Sequence, residues 1–189
     1  MSNASDISIC ANALQRLGAK PIASFQENST FAGPCSNLWP TVRNAILRAH
    51  PWNCATKRAI LAPLAEAPPF DYAYQFQLPT DWLKTVQVGR RNCPMDFVQE
   101  GRRILARSNQ LPLVWIWENQ DAGTWDDCMV EVAEILMASA LAYTVTKSTS
   151  LRDSLNQEGQ FKLKVAKSID GQDQPPEEFP DSALTMARF

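Results

Sequence analysis

An amphipathic run that ends in Ile46-Leu47-Arg48-Ala49-His50-Pro51-Trp52-Asn53 sets the strongest limit on how this chain can fold. Leu38, Val42, Ala45, Ile46 and Ala49 recur at helical spacing up to His50. The following proline drives His50 out of helical geometry, so a helix must stop there. Trp52 then needs a large apolar site and an acceptor for its indole N–H. The chain therefore turns at this point around a bulky anchor. The segment also holds the only histidine, so any histidine-based chemistry would begin here. A histidine at a helix end more commonly binds the last carbonyls and complements the helix dipole, and that reading is preferred.

Beyond the corner the pattern changes. Pro63-Leu64-Ala65-Glu66-Ala67-Pro68-Pro69 is a stiff extended connector. Residues 72–78, 83–88, 97–99, 104–105 and 113–117 are short aromatic and β-branched runs separated by turn residues. They predict an antiparallel meander of about four or five strands. Helical spacing flanks this stretch on both sides. Ahead of it, Asp6 is expected to cap a first helix whose apolar stripe is Ile7, Cys10, Leu14 and Leu17; Gly18 stops it and Pro21 prevents its return. Pro34 and Pro40 predict a kink, or two pieces, in the second helical region. After it, Thr124 and Asp127 form a capping box for a third helix that is apolar nearly all round, as at the centre of a bundle. Ser150 is expected to cap a fourth, with Leu151, Leu155, Phe161, Val165 and Ile169 inward. The expected architecture is mainly α (α+β). A four-helix bundle (1–62 and 121–170) receives an antiparallel β-meander between helices two and three (63–120), and a flexible C-terminal arm follows (171–189).

The 189 residues suffice for one good core. A net charge of -2 gives no overall attraction to nucleic acid or an anionic membrane, so any such attraction must be local. Cys10, Cys35, Cys54, Cys93 and Cys128 are scattered, with no C-x-x-C pair, and with a single histidine they offer no zinc spacing. They read as reduced thiols of a cytosolic product, Cys54 and Cys128 inert in apolar surroundings. The start is neither basic nor apolar, and the run 135–146 is shorter than the ~20 residues that cross a bilayer, so a soluble protein is expected. Asp71, Asp81, Glu100 and Glu118 could be paired for glycoside hydrolysis, but the 20 acidic residues supply such pairs by chance. With 7 glycines the chain has no phosphate-cradling loop. No catalytic, metal or cofactor residue is assigned.

Two features remain. Arg90, Arg91, Arg102 and Arg103 lie in a local basic excess that could face DNA phosphates or a partner, although a solvated face is the plainer reading. The arm carries Phe179, Leu184, Met186 and Phe189 among acidic residues with no local core to enter. Spaced apolar anchors of that kind suit docking into a partner's groove.

In order and spacing the chain resembles the tail tubular protein A family, the head-to-tail adaptors of short-tailed, podovirus-type bacteriophages. The segments that carry the resemblance are Leu17-Gly18-Ala19-Lys20-Pro21-Ile22, His50-Pro51-Trp52-Asn53, Leu78-Pro79-Thr80-Asp81 and the Leu141-Ala142 stretch of the alanine-rich third helix. Together they cover roughly residues 6–170. Cys54 departs from the family, which often has phenylalanine there. The resemblance implies a structural virion protein, made in the host cytoplasm, with no enzymatic activity and no cofactor. Such subunits form a homo-oligomeric ring, usually of twelve, beneath the portal. The ring joins the portal to a tail nozzle of tail tubular protein B type and lets double-stranded DNA pass, with no membrane involved. On this view the arm becomes a portal-docking segment. The alternatives are a virion-associated peptidoglycan hydrolase and a DNA-binding helical protein using the four arginines.

Overall fold

Ser5, rather than Asp6, caps the first helix. In the computed structural model, which describes residues 4–91 and 93–173, the Ser8 amide donates to the Ser5 hydroxyl (3.1 Å) and the Ser5 amide to the Ser8 hydroxyl (2.8 Å). This reciprocal box satisfies two otherwise unpaired groups and starts α1 (Asp6–Arg16). The helix stops at Gly18, whose φ of 72° is left-handed. There the Gly18 amide donates to Gln15 O (2.9 Å) and the Ala19 amide to Leu14 O (3.0 Å), the double bond of a Schellman end.

The second helix, α2 (Ala32–Arg48), is continuous through Pro40. Pro34 falls in its first turn, where an amide would have no partner, so only Pro40 removes a helical hydrogen bond. Burial of Trp39, Ile46 and Leu47 offsets that loss. The third helix, α3 (Asp127–Thr146), is capped by Asp126; Thr124 belongs to a preceding 3-10 turn. By length and composition α3 could cross a bilayer, longer than the apolar run in the sequence suggested. Here it packs against α1, α2 and α4, which accounts for its all-round apolarity.

The fourth helix, α4 (Thr149–Gln172), is capped by Ser148, not Ser150. It turns Leu151, Leu155, Gly159, Leu163 and Ala166 toward α3. Phe161 and Val165, expected inside, are 65% and 40% exposed. The reason is spacing. A Cβ built on Gly159 would stand 2.5 Å from Leu136 Cδ2, so the helices approach closely here and a larger residue would have to displace the Leu136 side chain.

The strands overturn the expected bundle with an inserted meander. Among the described residues seven strands form two antiparallel sheets, making a mixed α+β fold. They are β1 (Thr56–Leu61), β2 (Tyr74–Gln77), β3 (Trp82–Arg90), β4 (Cys93–Pro94), β5 (Phe97–Glu100), β6 (Arg103–Ala106) and β7 (Leu111–Trp117). One sheet runs β1-β7-β3-β4 and the other β2-β6-β5. β1 precedes the proline connector and pairs with the last strand, Thr56 opposite Ile116 through Leu61 opposite Leu111. Each sheet has one face rich in large apolar side chains, and the two faces bury one another through Phe76, Leu78, Val88, Ile104, Leu113 and Trp115. The helical core is separate: α1, α2 and α4 surround α3, and Ala55 and Ile116 from the sheet side complete it. A sheet residue therefore fills space that a four-helix bundle would close with helices alone.

Arg43, 5% exposed, joins the layers. Its guanidinium lies 2.7 Å from Glu118 Oε1, just beyond β7, and 3.6 Å from Asp6 Oδ2 at the start of α1.

The α4 interface gives a direct test. Gly159→Leu is expected to destabilise the fold by ~1–3 kcal/mol through overpacking, whereas Phe161→Ala on the outer face should shift stability by less than about 0.5 kcal/mol. Urea unfolding of the two variants measures both; the reverse ranking would place α4 the other way round.

Candidate functional site

The corner after α2 is a structural clasp. Trp52 is 2% exposed and its indole N–H donates to Ile46 O at 2.9 Å, so a single side chain plugs the core and ties the turn to the helix before it. The His50 ring meets Trp52 edge-on at 4.9 Å. His50 was expected to bind the last carbonyls of α2. Its Nε2 instead lies 3.1 Å from Asp170 Oδ2, near the end of α4. The other oxygen of Asp170 accepts the Asn53 amide (3.1 Å), and Asn53 Nδ2 donates to the Asp170 carbonyl (3.0 Å). Asp170 thus engages both His50 and Asn53 and fastens the far end of α4 to the corner.

Beside the clasp is a pocket of about 340 Å³ lined by Trp52, Cys54, Trp125, Asp126 and Asp170. Burial, reinforced by the Asp170 charge, pushes the Cys54 thiol up to about 11. It is therefore protonated at neutral pH and a poor nucleophile.

The other motif segments also lie at joints. Leu17 closes α1, Gly18 supplies the left-handed residue, and Pro21 is exposed where the chain leaves, next to buried Ile22. Leu78 is buried in the sheet core, and Asp81 accepts from Lys57 Nζ at 2.6 Å and from the Trp115 indole at 3.3 Å. Lys57 also sits 3.7 Å over the Trp117 ring. Glu118 donates its amide to Asp81 O at 2.7 Å, which brings two of the carboxylate residues considered for hydrolysis together. Each side chain is nonetheless held by its own cation, Asp81 by Lys57 and Glu118 by Arg43. Among the described residues no group of three or more His, Cys, Asp or Glu side chains could hold a metal.

The four arginines separate into two places. Arg102 donates to the carbonyls of Pro79 and Thr80, and Arg103 donates to Gln75 Oε1 at 2.9 Å. Both therefore brace the second sheet. Arg90 and Arg91 lie at the end of β3, beside a broad groove on the outer face of the first sheet. Phe179, Leu184, Met186 and Phe189 lie outside the described residues.

That groove, of about 940 Å³, is larger than the pocket beside the clasp. Strand alternation puts Arg58 beside Val114 and Ile60 beside Pro112 on its floor. A register shift between Thr85 and Gln87 marks Val86 as a bulge and adds it to the lining. Gly89, with φ 92°, permits the return into β4, since a Cβ there would stand 2.6 Å from Cys93 O and 2.9 Å from Met95 N. The turn so formed holds Arg90 and Arg91 at the rim. Ile60 is 62% and Val86 42% exposed, and the lining has three arginines and no acid. The same sheet face is covered at Ile116, which enters the helical core, and there Lys84 Nζ donates to Arg48 O at 3.2 Å.

Sequence reasoning missed Asp170, Arg43 and the strand that carries Arg58. Asp170 and Arg43 left no local signal, because their partners come from distant segments. β1 left none either, since Thr56-Lys57-Arg58 are polar and Ala59-Ile60-Leu61 apolar, with no alternation between them. Comparison with known proteins returns no match, neither to a family model nor to a curated protein.

Two measurements check this geometry. Trp52→Ala is expected to cost ~3–5 kcal/mol, as for a buried aromatic, and thermal unfolding would show it; a stable variant would mean that the indole does not plug the core. At pH 8, iodoacetamide should modify Cys54 on the order of 100-fold more slowly than an ordinary thiol, since the thiolate is the attacking form, while exposed Cys93 reacts readily. Comparable rates at the two sites would contradict the buried setting of Cys54.

Proposed function

We propose that the chain is the subunit of a head-to-tail adaptor ring of a short-tailed bacteriophage, of tail tubular protein A type. Copies close into a ring beneath the portal, offer a surface to the tail nozzle and leave a passage for double-stranded DNA. The arm from residue 172 onward engages the portal. What supports this reading is that the fold exposes two unlike apolar faces on separate elements. One is the arginine-rimmed groove with Ile60 and Val86, and the other is the outer side of α4 with Phe161 and Val165. A ring closes through a heterologous contact, in which each subunit offers one patch and receives a different one. A chain with two dissimilar exposed faces meets that requirement. The placement of the motif segments at the end of α1, at the aromatic clasp and at the Lys57–Asp81 corner adds to it, because those are the positions that hold the frame on which the two faces are carried.

The decisive experiment mixes the purified chain with the cognate portal and images the mixture by negative-stain electron microscopy. Rings seated coaxially on the portal are expected, with Ile60→Asp and Phe161→Asp each abolishing them while leaving the thermal unfolding midpoint in place. A chain that stays monomeric at high concentration and ignores the portal overturns the assignment.

A further inference from the structure

The first sheet ends at β1, and its ladder fixes which backbone groups that edge presents. The Glu118 amide donates to Asp81 O at 2.7 Å, so there the chain running out of β7 turns its backbone groups toward β3. Such groups alternate from one side of a strand to the other, which directs those of Trp115, Leu113 and Leu111 toward β1. The other end of the ladder agrees. Val88, opposite Leu113, accepts from the Met95 amide just past β4 and so faces away from β7. Lys57, Ala59 and Leu61 lie opposite those three residues of β7. The N–H and C=O groups of Arg58 and Ile60 therefore point out of the sheet. Among the described residues no strand pairs there, because β1 is terminal in the strand order.

The same two residues put their side chains on the groove, on one face with Val114 and Pro112. Edge strands are commonly guarded against stray pairing by charge. Here the guard on the groove face is Arg58, since Lys57 faces the other way, over the Trp117 ring and 2.6 Å from Asp81. A guard of one sign selects as well as repels. The groove lining holds Arg58, Arg90 and Arg91 and no carboxylate, so a basic strand is refused and an acidic one is drawn in. Beside Ile60 the lining continues apolar with Val86 and Val114. Phosphates of a nucleic acid would satisfy the arginines, yet leave the apolar floor and the outward N–H and C=O groups without partners. An extended polypeptide serves all three.

We propose that the β1 edge accepts an extended segment of another protein, added as an antiparallel strand that carries an apolar residue and, two positions on, an acidic one. The apolar residue stands opposite Ile60 and the acidic one opposite Arg58. Their backbone groups pair with those of Ile60 and Arg58, and their side chains extend the groove by one strand. The inference goes beyond the adaptor reading and does not rest on it.

The probe is a fluorescein-labelled peptide of threonines with one valine and, two residues on, one glutamate, titrated with the full-length chain by fluorescence polarisation. Saturable binding is expected. It should weaken roughly fivefold when lysine replaces the glutamate, and on the order of 10-fold when the valine and glutamate amides are N-methylated. Methyl groups on the residues that alternate with these two point away from β1 and should leave binding in place. Arg58→Glu should reverse the preference between the glutamate and lysine peptides. If that variant fails to fold, the peptide series on the unaltered chain decides alone. No saturable binding, an affinity indifferent to the methylation pattern, or one indifferent to the charge of the peptide each overturns the proposal. So does displacement of the probe by oligothymidylate more readily than by unlabelled peptide, the mark of a nucleic-acid surface. A peptide-independent dimer that Arg58→Glu dissolves overturns it too, in favour of a second copy at the edge. Portal binding and ring formation are not part of the readout, so failure here and failure of the adaptor assignment are distinguishable.

Discussion

The antiparallel pairing of β1 with β7 is the contact on which both cores depend. The chain leaves at Leu61 and returns at Leu111, directly opposite, so every strand between them is held within a loop closed at its base. Closing such a loop carries an entropic cost that grows only slowly with length, and a long insertion is tolerated once the base is secure. β7 secures it by serving two cores at once. Leu111, Leu113 and Trp115 enter the space between the sheets, while Ile116, on the other face, enters the helical core. A slip of one residue would exchange these faces and expose both sets, so the register is fixed from two sides.

Polar contacts then orient what the apolar contacts hold together. Arg43 sits almost wholly out of water between Asp6 and Glu118. The desolvation of such a group cancels much of its Coulombic gain, so the arrangement specifies orientation more than it adds stability. It sets α1, α2 and the end of β7 at one mutual angle. Asp170 performs a comparable task beyond the end of α2, where three hydrogen-bonding contacts join α4 to the corner. Buried Asn119 completes this framework, donating to Cys54 O (2.9 Å) and Thr124 Oγ1 (2.8 Å). The path from the corner to the first sheet is thereby tied to the turn that starts α3.

Turns and helix ends whose partners are close in sequence were mostly legible, though the caps Ser5, Asp126 and Ser148 were each misplaced by one or two residues, and features whose partners are distant were not legible. Trp52 finds its acceptor at Ile46 and Gly18 closes a helix with its own neighbours, so both followed from local rules. The inner face of α4 was misread because Phe161 and Val165 are the largest apolar side chains nearby, while the true criterion, a close helix crossing, selects the smallest residue, Gly159. β1 was overlooked because Lys57 and Arg58 resemble a solvated pair; only the return of β7 makes the segment a strand, with Lys57 opposite Trp115 and over Trp117. Missing that strand turned two sheets into a meander. The arginines failed in the same way. Arg90 and Arg91 lie near Arg102 and Arg103 in sequence, yet the hairpins carry one pair to the rim of a groove and the other to backbone carbonyls and a glutamine.

The outer face of the first sheet connects this framework to function. It is one continuous surface, and the helical layer covers only the part around Ile116. Where that layer ends, Val114, Ile60 and Val86 continue the apolar surface, and the lining holds arginines and no carboxylate. A sheet face that needed only to meet water would alternate toward charged and hydroxylic residues there. Exposed apolar side chains at ~25 cal/mol per Å² make continued exposure unfavourable relative to any complementary cover. The absence of carboxylates in the lining, in a chain with more acids than bases overall, narrows that cover to an acidic and apolar segment.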